Sequence, residues 1–253
     1  MWELYDALIE QIPDDITAAG IIVGNEITYV ESSTGGVGIA PYRQYIERAP
    51  MITGNKTGMS LKELAGCVKS WNFAEASVGN AAINAWYNHP DTAKQAGIEV
   101  TDRRRIQERL NDPFINSQNM VRGKNVCVVG HFPFIEELFA PICNLHIIEW
   151  VPTEGDYPYT ACEYILPECD YAYLTSAGLG DKSLPRLLEL SENAKKVTLV
   201  GPGTPLAARL FDFGVDDLSG LVITDNALAS RIISGVESQR IYSAGQKVHL
   251  LKE

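Results

Sequence analysis

The sequence predicts an α/β protein in which an N-terminal α+β unit packs on a doubly wound parallel sheet. Three observations carry this. Residues 1–100 set hairpin-like strand signals beside helical ones, without a strand–helix–strand rhythm. From Lys124 that rhythm begins. Buried-strand candidates fall at 125–130, 145–149, 170–175, 196–201 and 220–224, and helix candidates at 133–140, 184–193, 205–213 and 226–234. Within the first of these strands, Val126-Cys127-Val128-Val129 is an apolar run with no alternation, which suits a strand covered on both faces. The expected units are 1–100 and 101–253, with 101–123 a helix and polar connector.

The elements follow in order. Trp2, Tyr5, Leu8, Ile9 and Ile12 recur at helical spacing, and Pro13 closes that helix. Gly20–Val23 and Ile27–Val30 flank Gly24-Asn25, a hairpin signal because two-residue turns need positive φ. Gly35–Ala40 reads either as a third strand approached closely by a ligand or as a loop. Ser60 with Glu63, and Asn72 with Glu75, resemble capping boxes that start two helices, the second running to about Tyr87. That second helix carries an apolar stripe of Val78, Ala82, Ala85 and Trp86. On another face Ser77, Asn80, Asn84 and Asn88 line up. Asparagine is a poor interior helix residue, so the row is either a solvated face or a polar lining against a ligand or another segment. In the second case Asn84→Ala should spare stability and weaken ligand binding.

Composition narrows the partners. The chain has 253 residues, 45% hydrophobic and 21% charged, which suits one large domain or two modest ones. Net charge is −11, and both parts are acidic: residues 1–100 hold 12 acids against 6 bases, and the remainder 20 against 15. Nucleic acid and anionic membrane are therefore poor partners. The cluster Arg103-Arg104-Arg105 is expected on the solvated face of a helix. Five cysteines without a CxxC, no basic leader and no membrane-length apolar run point to a reducing, cytoplasmic setting. Histidines 89, 131, 146 and 249 and the cysteines show no metal-ligand spacing, so no residue is assigned to metal.

Chemistry is expected where strand ends converge. Gly130-His131 follows the first buried strand, with Pro133 suited to the first turn of the next helix. His131 is the candidate acid or base, since imidazole titrates near neutrality. Glu149 ends the next strand 19 positions after Gly130, where an acid can bind ribose hydroxyls, although no complete GxGxxG is present. Thr175 opens a small-residue loop through Asp181, Lys182 and Ser183 that fails the phosphate-loop spacing. Gly201-Pro202-Gly203-Thr204-Pro205 reads as a helix start, with Thr204 capping and Pro205 at the first helical position. That arrangement could hold an anion, or be an ordinary tight turn.

Together, Val129-Gly-His-Phe-Pro133, Glu149, Asp170–Ser183, Gly201–Pro205, Gly214-Val-Asp216, Ser60–Leu64 and Gly79–Ala85 resemble the heavy-metal chelation family, long described only as a domain of unknown function. The resemblance covers most of the chain. It implies an enolase N-terminal-like domain followed by a Rossmann-like domain, with a site between them, and it implies site positions Asn84, His131, Glu149, Thr175, Gly201 and Thr204. Where the family usually has asparagine this chain has Asp181. The candidate set is therefore His131 as catalytic residue, with Asn80, Asn84, Glu149, Thr175, Asp181, Gly201, Gly203 and Thr204 as ligand contacts. The expected function is a cytosolic small-molecule enzyme or binding protein connected with metal chelation. The alternatives are a nucleoside-cofactor, methyltransferase-like enzyme and a non-catalytic metallophore carrier. The expected partner is a small molecule, a metal chelate included. Self-association stays open, and no cofactor is named by the sequence.

Overall fold

The computed structural model describes residues 2–42, 48–101 and 111–252. The helix expected around Arg103–Arg105 lies outside the described residues.

Helix α1 (Glu3–Glu10) leads into an antiparallel sheet of β1 (Ala18–Val23), β2 (Ile27–Ser32) and β3 (Val37–Pro41), in that order. The expected hairpin forms, but neither Gly24 nor Asn25 has positive φ. The connection is the longer 24–26 segment, closed by Gly24 N–H on Ile27 O at 3.0 Å. Glycine is needed there for space, since a Cβ would stand 2.8 Å from the Ile27 and Ile233 carbonyl oxygens. The Gly35–Ala40 stretch supplies the third strand.

Helices α2 (Leu61–Gly66), α3 (Phe73–Tyr87) and α4 (Pro90–Gln95) follow. Asn72 caps α3 by accepting from Glu75 N–H at 2.9 Å. Ser60 precedes α2 without a side-chain cap, so that expected capping box is absent. α3 is buried almost all round, including Ser77, Asn80, Asn84 and Asn88. The solvated-face reading of this row is therefore overturned. A helix buried on every side is the central element of its unit, covered here by β2 and β3 and by α2.

The large sheet has the order β10-β9-β8-β7-β4-β5-β6. Its members are β4 (Asn125–Val129), β5 (Asn144–Glu149), β6 (Tyr157–Pro158), β7 (Tyr171–Thr175), β8 (Lys196–Val200), β9 (Asp217–Ile223) and β10 (Gly245–Leu251). All pairings are parallel except β10 on β9. Strand direction of travel reverses between β4 and β7, the position where doubly wound folds bind ligands at their carboxyl edge. The helices are α5 (Pro113–Val121), α6 (Ile135–Phe139), α7 (Cys162–Ile165), α8 (Ala177–Asp181), α9 (Leu184–Leu190) and α10 (Asn226–Ile233). Pro133 stands outside α6, whose cap is Phe134 in the left-handed region at φ 67°.

Two hydrophobic cores join the two units, the smaller packing Tyr29, Val37 and Ile39 against Leu221, Ile223 and Ile233. Leu4, Tyr5 and Leu8 of α1 cluster with Leu174, Leu184, Leu199 and Leu210 of the large-sheet unit. The opposite face of the sheet has its own core of Phe114, Val126, Val128, Phe139 and Tyr173. Residues that alternate along one strand thus serve different cores, which is why β4 reads as uninterrupted apolar sequence. Among the described residues no helix is long and apolar enough to cross a membrane.

Candidate functional site

The carboxyl edge of the parallel strands meets α3 and β3, and most of the expected residues lie along that seam. At the end of β5, Glu149 is only 8% exposed. Its Oε2 accepts from His131 N–H at 3.0 Å and its Oε1 from Trp150 N–H at 2.7 Å. A carboxylate satisfying two backbone amides at a turn fixes the loop that leaves β4.

His131 is held on both sides. Nδ1 lies 3.0 Å from each Asp156 oxygen, and Nε2 lies 3.0 Å from Glu136 Oε1. The hydrogen bond to Asp156 raises the imidazole pKa, outweighing partial desolvation, and the Asp156, Glu136 and Glu149 charges act in the same sense. Burial would raise the Asp156 carboxyl, but hydrogen bonds from His131 and Thr153 hold it below its usual value. With a carboxylate at each nitrogen the imidazolium is the favoured form, and it clamps the β4 loop to the 153–156 turn. To act as acid or base the ring must first release one carboxylate. Glu136 and Asp156 were not foreseen. Neither falls in a strand-end motif, and only the fold brings them to the ring.

Further along the edge, Gly130 (φ 104°) abuts Thr175, whose Oγ1 accepts from Ala177 N–H at 3.3 Å. Ser176 is fully buried, and a Cβ on Gly201 (φ 135°) would lie 2.6 Å from its Oγ. Gly203 passes so close to β3 that a Cβ would stand 2.5 Å from Pro41 Cδ. Its carbonyl accepts from Asn84 Nδ2 at 2.8 Å, and the Ile39 carbonyl accepts from the same nitrogen at 2.7 Å.

No helix starts at Thr204. The chain runs irregularly until a 3-10 turn at Ala208–Phe213, so Thr204 is not a cap and Pro205 is not a first helical residue. Asn88 explains this. Its Oδ1 accepts from Leu206 N–H at 3.0 Å, and its Nδ2 donates to the carbonyls of Thr204 at 2.9 Å and Leu221 at 3.2 Å. One of the amides expected to face an anion is already bonded, and the expected dipole end does not form.

Four buried oxygens along this seam have no hydrogen-bond partner among the described residues: Asn80 Oδ1, Asn84 Oδ1, Ser176 Oγ and Thr204 Oγ1. Buried polar atoms of this kind are normally satisfied, so four of them on one seam stand out. Asp181 stands apart from them. It ends α8 and accepts from Ser183 N–H at 2.9 Å. The next residue, Lys182 (φ 69°), was also missed. Its ammonium donates to the carbonyls of Gly180 and Ser70, across the seam, and lies 5.6 Å from the Trp71 ring and 5.2 Å from that of Phe73. Burial lowers its pKa to about 8. Among the described residues no group of three or more His, Cys, Asp or Glu side chains could hold a metal ion.

Fold and site define a two-unit α/β protein with a buried polar seam where a doubly wound sheet meets an α+β unit. One family model, described as "Putative heavy-metal chelation", matches residues 112–252, and a second with the same description matches residues 5–87. The chain belongs to that family. It is 54% identical to a protein of unknown function from Desulfitobacterium hafniense whose crystal structure superposes with a TM-score of 0.92, over 100% of this chain and 99% of that one. A Pyrococcus horikoshii member of unknown function shares the fold at 18% identity, with a TM-score of 0.76 over 98% of this chain and 100% of that one. An uncharacterized Methanocaldococcus jannaschii protein is 25% identical over 202 residues, 76% of this chain and 72% of its own length.

Proposed function

We propose that this protein binds a small polar molecule at the buried polar seam between the two units, and that the molecule is a chelator carrying a heavy-metal ion. The four unpartnered buried oxygens of Asn80, Asn84, Ser176 and Thr204 carry this reading. They suit the donor groups of an organic ligand. The metal is cargo, because no described side-chain cluster could supply its coordination shell. Five free cysteines, four of them buried, agree with work in a reducing cytoplasm. The nucleoside-cofactor reading has less support, because Glu149 is directed at two backbone amides.

Calorimetric titration tests this with nickel chloride and with the nickel–histidine complex, on wild type and on Ser176→Ala and Thr204→Val. Neither hydroxyl has a protein partner, so both variants should melt at or above the wild-type temperature. The complex should bind wild type and each variant should bind it roughly two- to tenfold more weakly, the worth of one hydrogen bond. Free nickel should bind feebly. Failure of the complex to bind, or equal affinity in all three proteins, would discard the seam as a binding site. Recovery of the bound complex unchanged identifies a carrier, and its conversion identifies an enzyme.

A further inference from the structure

A cavity of about 360 Å³ opens on the face of the large sheet turned away from the N-terminal unit. Its walls are apolar, built from Phe114, Phe132, Phe134 and Leu138. Polar groups gather at one side. Ser219, on β9 beside Val200, is 6% exposed, and its hydroxyl has no partner among the described residues. Arg240 is exposed at the rim and makes neither an ion pair nor a side-chain hydrogen bond among the described residues. Lys247 is fixed, 2.9 Å from Asp112 Oδ2 and 4.9 Å above the Tyr242 ring. Two cations against one carboxylate leave the cavity positive in a chain of net charge −11.

Its rim is also strained. Phe134 adopts the left-handed conformation, unfavourable for a non-glycine residue, while standing 63% exposed. A ring held out of the core at an energetic cost, over an apolar cavity at the carboxyl edge of the sheet, is placed to cover a guest. At ~30 Å³ for each water-sized group, the cavity takes roughly a dozen non-hydrogen atoms.

We propose that this cavity, which Gly201 borders from the side of the seam, is a second binding site, for a small organic carboxylate with an aromatic body. The ring of the guest lies among Phe114, Phe132 and Phe134. Its carboxylate pairs with Arg240 and accepts from the Ser219 hydroxyl.

Phenylacetate is the probe, titrated by calorimetry and mapped by amide NMR, with uncharged phenylacetamide as its control. Phenylacetate should bind saturably and shift the signals of Phe132–Phe134, Ser219 and Tyr242. Arg240→Gln should weaken it about tenfold, as expected for one charge-assisted pair, and leave phenylacetamide binding unaltered. Arg240 is exposed, so this variant keeps the fold, which an unchanged melting temperature verifies. Ser176→Ala, at the buried seam and outside the cavity lining, should leave phenylacetate affinity as it was, so the two sites stand or fall separately. Absence of saturable binding, signal shifts confined to other residues, or equal affinity in wild type and Arg240→Gln would overturn the proposal.

Discussion

The Asn84 side-chain amide lies 2.8 Å from the Gly203 carbonyl, joining the central helix of the N-terminal unit to the loop that leaves strand β8. The same nitrogen serves the Ile39 carbonyl at 2.7 Å, so both its hydrogens are used within the protein. This changes what alanine should do at position 84. The sequence suggested that stability would be spared. Asn84→Ala instead strands two buried carbonyls, and should cost roughly 1–3 kcal/mol in urea unfolding. A wild-type unfolding midpoint would show that the seam does not depend on this residue.

Gly203 tests the same seam from the other side. Gly203→Ala must push a Cβ against Pro41 Cδ, 2.5 Å away, in a place walled by backbone. Overpacking of this kind costs about 1–3 kcal/mol. Gly235→Ala is a useful comparison, since no atom lies within 4 Å of its added Cβ and only the φ of 75° opposes it. If the two variants lose equal stability, crowding at the seam is not the cause.

Stability should also follow the protonation of His131. Its folded pKa is raised above the ordinary 6.5 by Asp156, so its contribution is complete below 6.5 and disappears as pH rises through the folded value. Asp156 is lowered from 3.8, so its contribution is present above 3.8 and disappears as pH falls through the folded value. Between those limits the clamp is intact. Imidazole NMR should place the His131 titration above 6.5, and His131→Gln should flatten the decline of stability on the alkaline side. A His131 pKa at or below 6.5 would remove the clamp.

Glu75 provides a second, acid-side test. Burial would raise its pKa, but hydrogen bonds from Ser70 and from the Met51 and Ile52 amides, with Lys56 nearby, hold it below 4.5. The two amides stand at 2.6 and 2.9 Å. Stability from this carboxylate is present above 4.5 and declines as pH falls through the lowered value. Glu75→Gln should cost roughly 1.5–3 kcal/mol near neutrality, the range for hydrogen bonds to a charged group, and much less in acid. Equal losses at both pH values would contradict the charge-based account.

The cysteines should be inert while the protein is folded. Burial pushes the Cys67 and Cys162 thiols up to about 12 and that of Cys143 to about 11. A hydrogen bond with Cys169, then burial, raises Cys127 well above its ordinary value. Since the thiolate is the reactive form, an aromatic disulfide reagent at about pH 8 should titrate few thiols in the native state. All five should react after unfolding in urea. Rapid native reaction of several thiols would mean that the core opens readily.

Much of the architecture was legible in the sequence because it rests on local periodicity. Uninterrupted apolar runs gave the central parallel strands, Asn72 with Glu75 gave the start of α3, and Gly24-Asn25 gave the first hairpin. Strand β10 was not legible. Gly245–Leu251 alternates only weakly because polar Gln246 takes a buried position beside Val248, and its pairing with β9 is antiparallel. The helix expected at Thr204 failed for a nonlocal reason. Pro205 and its neighbours suit a helix start, but Asn88, 118 positions from Leu206 in the chain, takes its amide first.

For the site, sequence alone determined which residues could do chemistry: a histidine and an acid at two strand ends, a glycine-rich loop, and a row of asparagines on one helix. Only the tertiary structure decided what they face. It turned the asparagine row inward, with Asn84 and Asn88 on backbone carbonyls, gave His131 two carboxylates, and aimed Glu149 at the loop that carries His131. It also assembled the aromatic cavity from Phe114, Phe132, Tyr242 and Arg240, which no spacing in the chain connects. Periodicity reports which side of an element avoids water, because that preference belongs to each residue by itself. The partner of a buried polar group depends on which distant backbone arrives beside it, and the sequence near that group does not encode that.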